Sequence, residues 1–318
     1  MTNNTGPDVT MYTVTDPSDD ALNPKPGTLR FAMTRLKGKV WIDFERDMEI
    51  MLVRPLLVKS HTTIDGRGAE VHIAKGACLL LRRVSDVIIH GLKIHDCKAQ
   101  PAGEAMGPDG QIVRLGPVDG DAIRMVTSSR IWIDHNTLYD CEDGLIDVTR
   151  GSTDITISNN WFRFQNKVML LGHNDGFRRD TGMKVTVVFN HFGPQCRQRM
   201  PRIRFGYAHV VNNLYLGWGL YAMGGSMDPS IKSEANLFIA RGERKEIMWN
   251  MCLTCNFRSV NDVFENGALF TDSSDVDTGM KPEYGPHQVF EVADGKTVRA
   301  LTKSSGALKC PKTSPSLC

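Results

Sequence analysis

Short apolar stretches with a recurring spacing fill the middle of the chain. From about residue 40, β-branched runs are separated by Gly, Asn and Asp, and the pattern apolar-x-apolar-x-x-Asn-x-apolar recurs. Alternate apolar positions predict short strands, and the polar residues between them predict turns. The clear copies of the pattern begin at Ile131, Ile155, Val185 and Ala208.

The Asn residues of this pattern lie at nearly constant intervals. They are Asn136, Asn160, Asn190, Asn213 and, in a weaker copy, Asn236, which gives spacings of 24, 30, 23 and 23 residues. A period near 23 is typical of leucine-rich repeats or of solenoids built from strands. The copies are β-branched rather than leucine-rich and lack a helical return segment. They therefore favour an all-β fold, a parallel β-helix with about three short strands per turn.

The repeat predicts which residues become neighbours. Residues one period apart in a parallel β-helix lie on adjacent coils, about 4.8 Å apart, so the Asn side chains should stack as a ladder inside one turn. Asn159 and Asn212 are expected to serve the same turn. The weaker copy has Ser233 in an apolar slot, the copy around Leu92 lacks the Asn, and a polar insert at residues 173–180 is expected to protrude.

The two ends of the chain lack the repeat. Residues 1–27 are rich in Pro, Asp, Asn and Thr and predict an irregular lead-in. Apolar residues at helical spacing over residues 28–37, beside polar positions such as Arg30, predict a short amphipathic helix that plugs one end of the core. We expect a single domain over 1–318, comprising a lead-in and capping helix (1–39), the β-helix (40–240) and an irregular C-terminal cover (241–318).

The charge is balanced overall but uneven along the chain. The formal net charge of +2 gives no chain-wide case for nucleic acid. Residues 163–206, however, hold nine basic and two acidic residues, which indicates a localised anionic ligand. No apolar run approaches the roughly 18 residues that a membrane span needs, so we expect no membrane partner.

The N-terminus and the cysteines give opposite indications of the cellular compartment. The polar N-terminus lacks the apolar core of a signal peptide, which read literally indicates a cytosolic chain. Among the eight cysteines, Cys78 and Cys97 could bridge neighbouring turns, and Cys310 and Cys318 could close a C-terminal loop. Disulfides would instead indicate an oxidising compartment.

A group of carboxylates follows the same period. Asp121, Asp143 and Lys167 are separated by 22 and 24 residues and should lie on consecutive coils of one face, with Asp119 and Asp147 nearby. Four carboxylates at such spacing would repel one another without a cation. Oxygen-only ligands in a partly open set favour Ca²⁺. The alternative is that these residues are Asp-Gly turns on a solvated face.

A cluster of arginines lies one coil further along. Arg199, Arg202 and Arg204 follow Lys167 by one period plus the polar insert. Guanidinium groups beside carboxylates match the geometry of sugar acids, whose carboxylates they hold in bidentate fashion. A charged surface turn is the alternative interpretation.

Several motifs around these residues carry a family resemblance. They are WIDHN at 132–136, DGLID at 143–147 followed by GST at 151–153, KVMLLGH at 167–173, NHFG at 190–193 and QRMPR at 198–202. From about Tyr12 to Cys310 the chain resembles plant pectate lyases of polysaccharide lyase family one, a group that includes pollen allergens. The resemblance implies a right-handed parallel β-helix, which agrees with the repeat.

The resemblance also implies a reaction. It implies Ca²⁺-dependent β-elimination of de-esterified α-1,4-linked polygalacturonate, giving 4,5-unsaturated oligogalacturonides, by a secreted, monomeric enzyme of the cell wall. By motif position, the calcium ligands are Asp119, Asp121, Asp143 and Asp147, the substrate-binding residues are Lys167, Arg202 and Arg204, and the base is Arg199. A free guanidinium stays protonated above about pH 12, so we expect activity to favour alkaline pH.

Two residues depart from the usual plant pattern. Ile203 occupies a slot that is commonly Cys, which leaves Cys141 and Cys196 unpaired, and Phe205 occupies one that is commonly His. We expect Phe205, beside Arg204, to alter substrate preference.

Two other functions remain open at this point. One is a catalytically silent polysaccharide binder or allergen that keeps the fold, and the other is a calcium-independent lyase acting on methylated pectin. The intact carboxylates argue against both. Asp134 and His135 are interpreted as supporting a turn rather than reacting.

Overall fold

Three long parallel sheets form the body of the molecule. The computed structural model describes residues 4–249, 255–271 and 284–308. Sheet A contains ten strands, Val9–Val14, Lys39–Phe44, Thr62–Asp65, Ser85–His90, Ser129–Asp134, Thr153–Ser158, Lys184–Val188, Tyr207–Val211, Ser230–Glu234 and Asn256–Val260. Sheet B contains nine, Met48–Ile50, Val71–Ala74, Lys93–His95, Thr137–Tyr139, Trp161–Arg163, His191–Phe192, Leu214–Leu216, Leu237–Ile239 and Val263–Glu265.

The third long sheet carries the charged residues discussed below. Sheet C contains eight strands, Leu56–Val58, Leu79–Arg82, Ile123–Val126, Ile146–Thr149, Met169–Leu171, Arg202–Arg204, Met223–Ser226 and Met248–Trp249. Two short sheets lie beside it, an antiparallel hairpin of Gly103–Met106 with Ile112–Leu115 and a parallel pair of Gln165–Lys167 with Cys196–Gln198. The chain visits the long sheets in turn, which confirms the predicted parallel β-helix.

The apolar positions of the repeat form columns in the core. Ile131 lies beside Ile155, Ile155 beside Val185, and Val185 beside Ala208 in sheet A. All four side chains are buried. Because strands one period apart pair in register, each repeat buries the same side of its strand.

The predicted Asn ladder is present. The side-chain amide of Asn136 donates to Asn160 Oδ1 (3.1 Å), Asn160 to Asn190 (3.1 Å), Asn190 to Asn213 (2.9 Å) and Asn213 to Asn236 (3.0 Å). Each of these amides also donates to a backbone carbonyl on the preceding coil. The ladder therefore satisfies the polar groups of a fully buried turn.

The ladder continues beyond the predicted end of the β-helix. Asn236 N donates to Asp262 Oδ1 (2.7 Å), and Ser233 Oγ donates to Asp262 Oδ2 (2.6 Å). Ser233 in an apolar slot is thus explained by this acidic last rung. The predicted boundary at residue 240 was one turn too early, because the strands Met248–Trp249, Asn256–Val260 and Val263–Glu265 extend the three sheets.

The N-terminal segment is more regular than predicted. Val9–Val14 pairs in parallel with Lys39–Phe44, so part of the expected irregular lead-in is the first strand of sheet A. The predicted helix covers Leu29–Arg35, and the hydroxyl of Thr28 caps it by accepting from Phe31 N. In the described residues, no helix is long and apolar enough to cross a membrane.

The placement of Arg30 on a polar side of this helix was wrong. Arg30 is 1% exposed, and its guanidinium donates to both carboxylate oxygens of Asp19 (2.6 and 2.8 Å). It also donates to the carbonyls of Arg54 and Pro55. The helix therefore closes one end of the core. A buried ion pair with Asp19, together with hydrogen bonds to two backbone carbonyls, holds Arg30 in place.

The described C-terminal residues pack against the outside of the coils. The short helix Val298–Leu301 places Val298 against Leu214, Leu237 and Ile239 of sheet B. Further on, Ala307 N donates to Thr137 Oγ1 (2.9 Å). Residues 284–308 thus span several coils of the outer surface.

One of the two expected disulfides lies in the described part of the chain. Cys78 and Cys97 are bonded, with their Cα atoms 5.7 Å apart, whereas Cys310 and Cys318 lie outside the described residues. Cys141 and Cys196 are free and buried. Gln165 lies between them, bonded to Cys141 N and paired in register with Cys196. Two coils, about 10 Å, are too far for a disulfide.

Candidate active site

The outer face of sheet C brings the predicted charges together. Arg124 lies beside Asp147, Asp147 beside Leu170, and Leu170 beside Arg202 in the strand register. Their neighbours Ile123 and Ile146 are fully buried. Because side chains alternate along a strand, Arg124, Asp147 and Arg202 face outward in one column.

Three of the four predicted metal ligands converge. Asp119, Asp121 and Asp143 each place a carboxylate oxygen within 4.8 Å of the others. Asp121 Oδ1 accepts from Gly144 N (2.9 Å), whereas its Oδ2 is buried and has no hydrogen-bond partner among the described residues. A buried carboxylate oxygen without a partner is costly, so this atom is a candidate metal ligand.

Asp147, the fourth predicted ligand, lies close to this group but outside the set of three whose oxygens converge. A Cβ atom built on Gly144 would lie 2.8 Å from Asp121 Oδ1 and 3.2 Å from Asp147 Oδ1. Both carboxylates therefore lie close to Gly144, and a side chain at this position would displace them. The Asp-Gly sequence at 143–144 thus has a steric role as well as a turn role.

The raised pKa values of these carboxyl groups favour the binding of a cation. Burial, together with the nearby Asp119 carboxylate, raises the pKa of Asp121 to about 7. Burial also raises the pKa of Asp147 well above its ordinary value, with Asp121 adding to the effect. A hard cation would offset these costs, and an all-carboxylate set fits Ca²⁺.

The basic residues lie on the coils that follow the carboxylates. Lys167 Nζ contacts Asp143 Oδ1 in an ion pair. Lys167 pairs in register with Gln198, and Met169 N donates to the carbonyl of Arg199 (2.7 Å), which places Arg199 one coil beyond Lys167. Arg199 Nε is buried and has no hydrogen-bond partner in the part of the chain that the structure describes.

Arg202 lies in the same cationic environment. Burial lowers its pKa, and the charges of Arg204 and Arg199 contribute in the same direction. Among the described residues, none forms an ion pair with its guanidinium. Such a group, half buried between like charges, is suited to receive an anion.

Arg204 lies on the same strand as Arg202 and already forms an ion pair. Its Nε donates to Asp175 Oδ1 (2.9 Å), a carboxylate of the polar insert. The insert was expected to protrude, yet it is anchored, because the fully buried Asp180 accepts from Gly151 N (2.6 Å) and His173 N (2.7 Å).

Arg124 was missed from the sequence. Its Nη1 lies 3.5 Å from Asp119 Oδ1, and its Nε is buried with no hydrogen-bond partner in the described ranges. Arg124 precedes Asp147 by 23 residues, one period of the repeat, so the spacing could have placed it.

The expectation for Phe205 was wrong. Phe205 is 1% exposed, and Ile203 is fully buried, so both side chains belong to the interior of the coil. Phe205 therefore cannot contact a polymer in the groove. Asp134 and His135 lie on sheet A, where Asp134 Oδ2 bonds to the Nδ1 atoms of His90 (2.9 Å) and His135 (2.7 Å), in keeping with a structural role.

Comparison with known proteins decides the family. A pectate lyase family model matches residues 53–286, more than half of the chain. The chain belongs to the pectate lyase family. It is 49% identical over 315 residues to "Putative pectate lyase 17" of Arabidopsis thaliana, with 96% of this chain and 78% of that protein covered. It is 48% identical to "Pectate lyase 1" of Juniperus virginiana, with 93% and 83% covered.

The fold comparison agrees. The crystal structure of jun a 1, the major allergen from cedar pollen, superimposes with a TM-score of 0.90 at 47% identity, covering 94% of this pectate lyase and 89% of that chain. These relatives are plant proteins named as pectate lyases, and the chain is accordingly a lyase.

Proposed function

We propose that this pectate lyase cleaves de-esterified α-1,4-linked polygalacturonate by calcium-dependent β-elimination, releasing 4,5-unsaturated oligogalacturonides. The observation that carries the proposal is that two charged side chains on nearby coils each hold a buried polar atom with no hydrogen-bond partner among the described residues. These atoms are Oδ2 of Asp121 and Nε of Arg199. A cation together with an anionic polymer would satisfy both atoms at once.

The carboxylate group would hold the cation. Asp121 would supply a buried oxygen, and Asp119 and Asp143 would supply oxygens within 4.8 Å of it. Asp147, which lies beside Gly144 as Asp121 does, would supply a fourth. When bound, Ca²⁺ neutralises these carboxylates and polarises the uronate carboxylate, which makes the neighbouring C5 proton more acidic.

The basic residues Lys167, Arg202 and Arg204 would hold the polymer. Arg202 has its guanidinium free to grip a uronate carboxylate in bidentate fashion. Lys167 and Arg204 are paired with Asp143 and Asp175, and a substrate carboxylate would share or replace those partners. The Arg204 pair is weak, since Asp175 is mostly exposed.

Arg199 would act as the base. Its unprotonated guanidine takes the proton from C5, the electron pair of that bond forms the C4=C5 double bond, and the C4–O bond to the leaving sugar breaks. The leaving oxygen then takes up a proton. A guanidine must be unprotonated to accept this proton, so activity should rise toward alkaline pH.

The disulfide indicates where the enzyme acts. The Cys78–Cys97 disulfide suits an oxidising compartment. We therefore assign the enzyme to the outside of the cell, acting on wall pectin as a monomer.

The direct test follows the new double bond. Its ultraviolet absorbance should rise when the enzyme meets polygalacturonate with calcium, and EDTA should abolish the rise. No rise with calcium present would contradict the proposal and leave a silent polysaccharide binder. A rise that ignores EDTA and is larger on methylated pectin would point to a calcium-independent lyase.

Replacing the base separates chemistry from binding. Arg199→Lys keeps a positive charge but shortens and misplaces the basic group, so turnover should fall by about 10²–10⁴-fold while polymer binding persists. Arg197→Lys, two residues away and exposed, is the matched control. Retained turnover in Arg199→Lys would mean that the base is misassigned.

A further inference from the structure

The outward column of sheet C continues well past the charged residues. Arg202 lies beside Gly224, and Gly224 beside Trp249, in the strand register. Trp249 is 41% exposed, although it is a large apolar side chain. Four strand spacings separate it from Asp147, a distance of about 19 Å. An exposed indole thus lies at one end of the outward column that contains Arg202.

The other end of the same column is closed. Leu57 and Leu80 occupy the outward positions before Arg124. Both are buried by Ala21 of the N-terminal segment and by Ala105 and Leu115 of the antiparallel hairpin. A polymer bound at the carboxylates is therefore blocked in the direction of Leu57 and Leu80. Its further sugars would extend toward Trp249.

Trp249 is held by a second aromatic ring. Its ring centroid lies 5.1 Å from that of Tyr221, with 43° between the planes, and Tyr221 is only 4% exposed. A Cβ at Gly224 would lie 2.9 Å from the Tyr221 ring and 3.0 Å from Trp249 Cβ. Glycine at this position lets the two rings meet, so Tyr221 supports one side of the indole.

We infer that Trp249, backed by Tyr221, forms an outer sugar-binding position that stacks on a pyranose ring of the polymer beyond Arg202. The C–H groups on a sugar face match the negative face of an aromatic ring, and a supported ring loses little conformational freedom on binding. This position would add affinity only for chains long enough to extend from the carboxylate group to Trp249. The inference rests on the proposed function, because it names a further contact for the same polymer.

The test compares short and long oligomers. Calorimetry measures the binding of tri- and octagalacturonate with calcium, in an Arg199→Lys background that prevents cleavage. The octamer should bind more tightly than the trimer, and Trp249→Ala should weaken octamer binding roughly tenfold, so that most of the gain with length disappears. Trp249→Phe should restore much of it. Phe264→Ala, equally exposed on sheet B, is the control and should bind like the parent.

Unchanged octamer affinity in Trp249→Ala would overturn the inference, as would an equal loss in Phe264→Ala. If Trp249→Ala proves poorly folded by thermal unfolding, Trp249→Gln repeats the test with a larger, soluble side chain. The proposed reaction fails separately, through the absence of ultraviolet absorbance with the unmodified chain. Length-dependent binding through Trp249 is measured without any turnover, so the two failures are distinguishable.

Discussion

Asp121 is the residue whose surroundings point most directly to a bound cation. One of its oxygens accepts a hydrogen bond from Gly144 N, and the other is buried and has no partner within the described part of the chain. Burial raises its pKa to about 7, so without a cation the carboxylate becomes fully ionised only above neutral pH. Calcium binding should consequently weaken as the pH falls below about 7, since protons compete for the same oxygens.

Gly144 gives the sharpest test at this scale. In Gly144→Ala the new methyl group would meet Asp121 Oδ1 at 2.8 Å and Asp147 Oδ1 at 3.2 Å. Both atoms are side-chain ends, which shift more easily than backbone, so the fold should persist while calcium affinity falls by about tenfold or more. Calorimetric calcium titration measures the effect.

Gly116→Ala is the matched control, because nothing lies within 4 Å of a Cβ at that position. Equal calcium affinity in the two variants would contradict the assignment of Asp121 and Asp147 to one site.

Single residues also show where sequence reasoning stops. The period placed Asp121, Asp143 and Lys167 together because a coil of fixed length determines their neighbours. Arg30 was misplaced because its partner Asp19 lies in a segment without any repeat. Phe205 was misplaced because the sequence could not show which face of its turn enters the core.

At the scale of elements, the Asn ladder sets the register of the coil. Its spacing was readable because Asn recurs at one position of each turn. The last turn escaped prediction because the ladder ends in Asp262 instead of Asn. The first strand, Val9–Val14, escaped because it precedes the first Asn position by several coils.

Asp262 makes the stability of the ladder dependent on pH. Burial raises its pKa from 3.8 to about 6, although Ser233, Asn236 and Ser259 donate hydrogen bonds to it. Because the folded-state pKa is raised, the neutral carboxyl contributes its full stability below about pH 4, and this contribution is lost as the pH rises through about 6.

Asp262→Asn should remove this loss, since an amide continues the ladder without burying a charge. The free energy of unfolding should rise by about 2 kcal/mol near pH 7.5 and change little near pH 4. Urea unfolding at the two pH values measures it, with the exposed Asp154→Asn as control. A variant less stable than the parent at neutral pH would show that the ionised carboxylate holds the ladder end.

At the scale of the whole molecule, the groove is asymmetric. The N-terminal segment and the hairpin cover one end of the outer column of sheet C, and the other end opens at Trp249. The sequence could predict the charged middle of this groove, where residues one period apart carry charges. It could not predict the closed end, because the hairpin Gly103–Met106 with Ile112–Leu115 lies outside the repeat.

The central claim is that carboxylates from successive coils form one calcium site that works together with the polymer. Calorimetric calcium titration of the Arg199→Lys chain, with and without octagalacturonate, measures this claim directly. We predict saturable calcium uptake that becomes tighter when the oligomer is present, and loss of that uptake in Asp121→Asn. An absence of calcium uptake even with the oligomer present, or uptake unaffected by Asp121→Asn, would contradict it.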